Sequence, residues 1–211
     1  MIYDEAWFFV AHPDDEIWSL GTLQKLITTG TNVYYFSFCR EHSEDQTWIQ
    51  SGQLQGECEK CLDRVGVPKN NRIFKNYRDM YFEYSPQEIR QDIYDIRTDH
   101  SPDLVFLPSS YDYHQDHLVV HNAGVQAFTG AATTVLGYVT AFTQLLASNR
   151  MYIPITEYQF VNKVMAAECY NCQAYRSYSN TKILEGKCMD AGLAIGEKYA
   201  EVFEVIKAVG I

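Results

Sequence analysis

The feature that most constrains this chain is an apolar run that stops in a turn of acids. Ala6-Trp7-Phe8-Phe9-Val10 reads as a strand buried on both faces, and it leads directly into Ala11-His12-Pro13-Asp14-Asp15-Glu16. Pro13 lacks an amide proton and has a fixed φ, so the strand cannot simply continue. A strand of this kind belongs in a parallel sheet covered by helices, and ligand crevices in such sheets open at the C-terminal strand ends. One imidazole and three carboxylates are therefore delivered to that end. So many acids on one turn repel each other unless a cation sits among them, and a metal site is the economical explanation.

A second stretch repeats the pattern. Asp103-Leu104-Val105-Phe106-Leu107 is another buried run, and Pro108-Ser109-Ser110-Tyr111-Asp112-Tyr113-His114-Gln115-Asp116-His117 follows it. Two such turns from one parallel sheet can face the same crevice. His12, Asp15 and His117 would supply two nitrogens and one oxygen and leave a fourth position open, the stoichiometry of a catalytic zinc rather than a structural one.

The remaining elements alternate. Helical spacing is expected from Ile17 to about Thr29, with Gly30 as its cap, and Val33–Cys39 reads as the second strand. Arg40 to about Thr47 is a polar loop, and a helix is expected from about Trp48 to Val65. Arg72–Phe74 is a short strand. Ser85-Pro86-Gln87-Glu88 is a helix start, with Ile89, Ile93 and Ile96 as its buried face. Residues 103–107 form a central strand, Leu118 to about Thr129 a helix, and Thr134–Val139 another strand. Tyr158–Tyr170 and about Ile183–Val209 read as helices. This alternation predicts an α/β fold, a three-layer sandwich with a mostly parallel sheet, and the whole chain, 1–211, as a single domain.

Composition excludes some functions. A net charge of −10 without a Lys/Arg cluster argues against nucleic-acid or anionic-membrane binding. No apolar segment is long enough to span a bilayer, and Met1–Glu5 has no basic n-region, so a cytoplasmic protein without membrane insertion is expected. Cys58/Cys61 and Cys169/Cys172 have C-x-x-C spacing. They could build a structural zinc site, but they lie in helical patterns without Gly/Pro-rich knuckles, so reduced core thiols are the preferred reading.

The two site motifs together resemble the PIG-L/LmbE-like superfamily of metal-dependent N-deacetylases. Lys163 to Gln173 is similar to the K…A…Y-x-S-Q stretch of that family, and Tyr199-Ala200-Glu201-Val202-Phe203 to its Y-A-E-x-F ending. Departures are Ser19-Leu20-Gly21 where a Gly-Gly pair is common, Cys172 in place of Ser, and Leu54 where many members carry Arg. The resemblance implies a Rossmann-like fold and hydrolysis of an N-acetyl group, usually from an N-acetylglucosamine-type sugar. It implies zinc, with ferrous iron as the alternative, held by His12, Asp15 and His117. It assigns Asp14 as general base, His114 as the group that stabilises the oxyanion, and Asp116 as its orienting partner. A homo-oligomer is a further implication.

The chemistry suits these side chains. Asp14 would take the proton of the attacking water, and a protonated His114, held by Asp116, would stabilise the negative oxygen. Asp14 or Asp15 could also cap the following helix. Glu16 is expected to brace a neighbouring group rather than bind metal. Arg78, in a loop at a strand end, is a candidate to hold a sugar hydroxyl or an acidic group. His121, four residues after His117, is taken as a pocket-wall residue for the small-molecule substrate rather than a ligand. A non-catalytic metal-stabilised module is the competing class, and phosphoester cleavage a third.

Overall fold

Two buried layers of side chains, one on each face of a single sheet, organise the molecule. The computed structural model describes residues 3–41, 51–141, 143, 149–177 and 180–210. In chain order the elements are β1 (Glu5–Val10), α1 (Leu20–Thr28), β2 (Asn32–Ser37), α2 (Gln53–Val65), β3 (Arg72–Phe74), α3 (Pro86–His100), β4 (Leu104–Pro108), α4 (Gln115–Ala127), β5 (Thr134–Tyr138), β6 (Arg150–Pro154), α5 (Glu157–Ala167), α6 (Thr181–Leu193) and β7 (Ala200–Lys207). The sheet order is β3-β2-β1-β4-β5-β7-β6. Pairings among β1 to β5 are parallel, and β7 pairs antiparallel with both β5 and β6.

The period of two in β1 sorts its side chains. Ala6, Phe8 and Val10 join a core with Leu20 and Leu23 of α1, Leu54 and Leu62 of α2, Ala166 of α5 and Leu184 of α6. Trp7, Phe9 and Ala11 join the opposite core with Ile89 and Ile93 of α3 and Val120 and Ala123 of α4. Helices thus cover both faces, which is the expected three-layer α/β arrangement. Phe8 stacks on Phe106 across the β1–β4 pairing, 4.0 Å between ring centroids. Burying each such ring contributes roughly 1.5–3 kcal/mol. The order reverses direction between β1 and β4, so the crevice lies where both site turns emerge.

The C-terminal third differs from expectation. The helix expected over Ile183–Val209 is α6 followed by strand β7, and β6 was not anticipated at all. Gly196, at φ +75°, turns the chain out of the helix. An alanine at Gly192 would put its Cβ 2.6 Å from the Glu197 carbonyl oxygen. In β7 the buried carboxylates of Glu201 and Glu204 hide the alternation by which a strand is normally read. The first expected helix is also divided: a 3-10 turn at Asp15–Trp18 precedes α1. Gly52, at φ +79°, precedes α2, and the expected residues 48–50 of that helix lie outside the described residues, as does most of the loop from Arg40 to Thr47. α4 begins three residues earlier than expected.

Glu201 and Lys163, from the two family-like C-terminal stretches, meet in a buried ion pair at 2.5 Å. The Glu201 carboxylate accepts the Gly21 and Thr22 amides at the start of α1. Any Cβ at Gly21 would lie 2.8 Å from Ile155 and 3.1 Å from Glu201, which accounts for glycine there. Among the described residues no helix is long and apolar enough to cross a membrane.

Candidate metal centre

The first site turn begins where β1 stops. The His12 amide donates to Asp15 Oδ2 at 2.9 Å, and the Asp15 amide returns to the His12 carbonyl. Asp14 sits at φ 104°, ψ −17°, a left-handed setting that ordinary side chains rarely adopt. It precedes the 3-10 turn but makes no side-chain cap bond. The second turn is fastened by Asp112, which accepts the His114 amide at 2.9 Å and the Thr140 and Thr143 hydroxyls at 2.6 and 3.0 Å. His114 then caps α4, its Nδ1 accepting the Asp116 amide at 3.2 Å.

These turns bring together His12, Asp15, His114, Asp116 and His117, with Asp14 preceding Asp15 in the first turn. Nε2 of His12 lies 3.0 Å from Asp116 Oδ2 and 3.1 Å from Asp79 Oδ1, and its Nδ1 lies 3.7 Å from Asp15 Oδ2. Nε2 of His117 lies 3.2 Å from Asp15 Oδ1. Its Nδ1 lies 3.1 Å from Asp112 Oδ2, an ion-pair contact rather than an aligned hydrogen bond. The rings of His12 and His114 are 4.7 Å apart, and those of His114 and His117 4.8 Å. One nitrogen from each of His12, His114 and His117 falls within a common 4.8 Å, as do ligand atoms of His12, Asp79 and Asp116. His114 is therefore within ligand reach as well as in its expected position beside the ligands.

Charge explains why a cation fits. Asp15, Asp79, Asp112 and Asp116 are all buried against the His12 and His117 imidazoles, and Asp14 is buried in the first turn. Burial by itself would lower the pKa of His117, but Asp15 and Asp112 overcome it and push the pKa up to about 9. Burial likewise opposes the charge on His12, and hydrogen bonds that its ring donates to Asp116 and Asp79 raise its pKa well above the ordinary value. Asp15 is held below its usual range by His117 and His12 despite burial, and Asp112 by His117. The protons on these two histidines stand where a divalent cation would neutralise the same acids. Each histidine has a carboxylate behind one ring nitrogen while the other faces Asp15, the backing that orients imidazole ligands in metal sites. The donor set of nitrogens and carboxylate oxygens suits zinc or ferrous iron.

Three expected details change. Asp116 does not clasp His114 with its carboxylate. That carboxylate accepts from His12 and from the Met80 and Phe82 amides, at 2.7 and 3.2 Å. His114 is oriented by the Asp116 amide instead. A protonated His114 is also disfavoured: burial, then His12 and His117, push its pKa down to about 4. Finally, Asp79 and Asp112 were given no role from sequence, although Asp112 lies within the second motif and Asp79 in a loop after a strand. Its place in the loop that follows β3 is the available signal for Asp79.

Arg78 is exposed and lies over the Tyr81 ring, 4.1 Å from its centroid, next to Asp79. His121 is buried, its Nδ1 bonded to the Pro108 carbonyl at 2.8 Å, so it braces the end of β4. Glu16 is fully buried and binds the Asp14 amide at 3.1 Å, the bracing expected of it. All six cysteines are free thiols, and among the described residues no group able to share an ion contains one.

Solved structures share this architecture. An N,N'-diacetylchitobiose deacetylase from Pyrococcus horikoshii superposes with a TM-score of 0.75 at 21% identity, over 97% of this chain and 84% of that one. A teicoplanin deacetylase, Orf2, in a zinc-inhibited form, gives 0.79 at 14% identity, over 95% and 97%. The 4-carboxy-2-hydroxymuconate hydratase GalB from Pseudomonas putida gives 0.76 at 15% identity, over 99% and 98%. At these identities the likeness establishes a common fold. No curated protein matches the sequence. Residues 7–128, which hold both site turns, match the GlcNAc-PI de-N-acetylase (PIG-L) family. The chain therefore belongs to the PIG-L family.

Proposed function

We propose that this protein hydrolyses the acetyl amide of an N-acetylated amino sugar, of N-acetylglucosamine type, or of its conjugate, with residues 1–211 forming one catalytic domain. The observation that carries the proposal is the convergence of His12 and His117, from two different turns, on the Asp15 carboxylate, with Asp14 beside it. His12, Asp15 and His117 would hold a zinc or ferrous ion. When bound, such an ion supplies Lewis acidity toward the amide carbonyl and lowers the pKa of water to about 7.

The chain's own groups do the rest. Asp14 takes one proton from the water as its oxygen bonds to the carbonyl carbon. The carbonyl oxygen becomes an oxyanion. Nδ1 of His114 is occupied as an acceptor, so the neutral ring carries its proton on Nε2 and can donate there. One such donor is worth roughly 3–4 kcal/mol. Asp14 then gives its proton to the nitrogen as the C–N bond breaks, releasing acetate and the free amine. Arg78, exposed and next to Asp79, would meet the sugar or an acidic substituent.

The test is metal analysis of the purified protein with acetate release from a panel of N-acetylglucosamine conjugates, before and after chelation. About one metal per chain, as a single three-ligand site predicts, and acetate only from the loaded form, are expected. Metal without acetate from any conjugate would sink the proposal and favour a binding module, or a water-addition chemistry of the kind named for GalB.

A further inference from the structure

The first site turn holds a group that the hydrolysis does not use. Glu16 is fully buried beside Asp14, and its carboxylate is surrounded by donors from distant parts of the chain. Oε2 accepts the Asp14 amide at 3.1 Å and the Tyr35 hydroxyl at 3.0 Å. Oε1 accepts the Tyr170 hydroxyl, with the Cys58 thiol at 4.0 Å. Tyr35 belongs to β2, inside the sheet and fully buried. Tyr170 comes from the short turn after α5, 154 residues further along the chain. That turn is itself tied to α2, because the Cys172 amide donates to Glu57 at 2.9 Å and Gln53 binds the other Glu57 oxygen.

A left-handed aspartate persists only where its surroundings over-determine it. Glu16 is the side chain seen to bind the Asp14 amide, and a carboxylate on a flexible stem holds position only if its own oxygens are held. The two tyrosine hydroxyls do that, one from β2 and one from the short turn after α5. We propose that Tyr35 and Tyr170 are positioning residues that act through Glu16: they fix the carboxylate that holds the Asp14 backbone in its left-handed setting, and so set the direction of the Asp14 side chain. The inference rests on Asp14 serving as the base in the proposed deacetylation.

The experiment compares the zinc-loaded wild type with Tyr35→Phe, Tyr170→Phe and the double variant. Phenylalanine keeps the ring packing and removes one donor. Hydrogen exchange at the Asp14 amide is read by NMR, together with kcat, KM, metal content and melting temperature. Exchange at Asp14 is expected to rise about tenfold in each single variant, with neighbouring helices unaffected. The rate constant kcat should fall by about tenfold, with KM and metal content within about twofold of wild type, because aiming and not binding is lost. The double variant should fall further. Asp14 exchange and kcat within about twofold of wild type in the double variant would overturn the proposal, as would a general loss of stability with normal kcat per folded, loaded molecule. Should Tyr35→Phe fail to fold, Tyr170→Phe, outside the sheet, carries the same test. If the wild type releases no acetate, the deacetylation reading falls. Exchange then decides alone: acceleration confined to Asp14 upholds the pin, and none overturns it.

Discussion

The turn after β1 keeps Asp14 at φ 104° with one carboxylate, Glu16, on its amide, whereas the turn after β4 has no residue at positive φ and is fastened by two carboxylates, Asp112 and Glu204. In the second turn Asp112 gathers two threonine hydroxyls and the His114 amide. Glu204 of β7 accepts the Ser109 and Ser110 hydroxyls and the Ser110 amide. The two turns also brace each other, since His12 leans on Asp116 and His117 on Asp15. The difference teaches that the turn carrying the proposed base keeps a strained residue on a single carboxylate, while the turn carrying the proposed oxyanion donor has unstrained backbone and two carboxylate anchors.

The largest effects should come where the turns meet. Asp15→Ala or His117→Ala should reduce bound metal from about one per chain to near zero and abolish acetate release, measured by metal analysis and enzyme assay. Retention of full metal by either variant would break the idea of a shared centre. Next, Asp14→Asn should keep its metal and lose about 10²–10⁴-fold in kcat, the range for removing a general base. Loss of metal as well would mean that this aspartate is a ligand.

Unequal backing gives a sharper contrast. His12 has Asp116 and Asp79 behind Nε2, and His117 has Asp112 alone behind Nδ1. Asp112→Asn should therefore weaken metal affinity by about 10–100-fold, and Asp79→Asn by less, in competition titrations with a chelator. Equal losses would erase the distinction. The smallest effect should come from Gly137→Ala in β5. Its Cβ would lie 2.9 Å from Glu204 Oε2 and 3.0 Å from the Ser109 Cα. Overpacking of this kind costs about 1–3 kcal/mol in urea unfolding, and the several anchors of the second turn should leave kcat nearly unchanged.

Sequence by itself determined the parallel core and the two polar turns. Period-two burial in β1, the apolar runs and Pro13 are local signals, and local signals survive without coordinates. It also delivered the two turns to one crevice, because each follows a strand of the same sheet, while the resemblance to the family picked out His12, Asp14, Asp15, His114, Asp116 and His117 within them. Only the tertiary structure decided what stands behind them. Asp79 reaches His12 from the loop after β3, and Tyr170 reaches Glu16 across 154 residues, contacts that no spacing encodes. β7 escaped because its two buried glutamates, which fasten α1 and the second turn, replace the apolar residues by which a strand is recognised. A buried carboxylate is stable only with its donors in place, and those donors are gathered by folding rather than by adjacency in the chain.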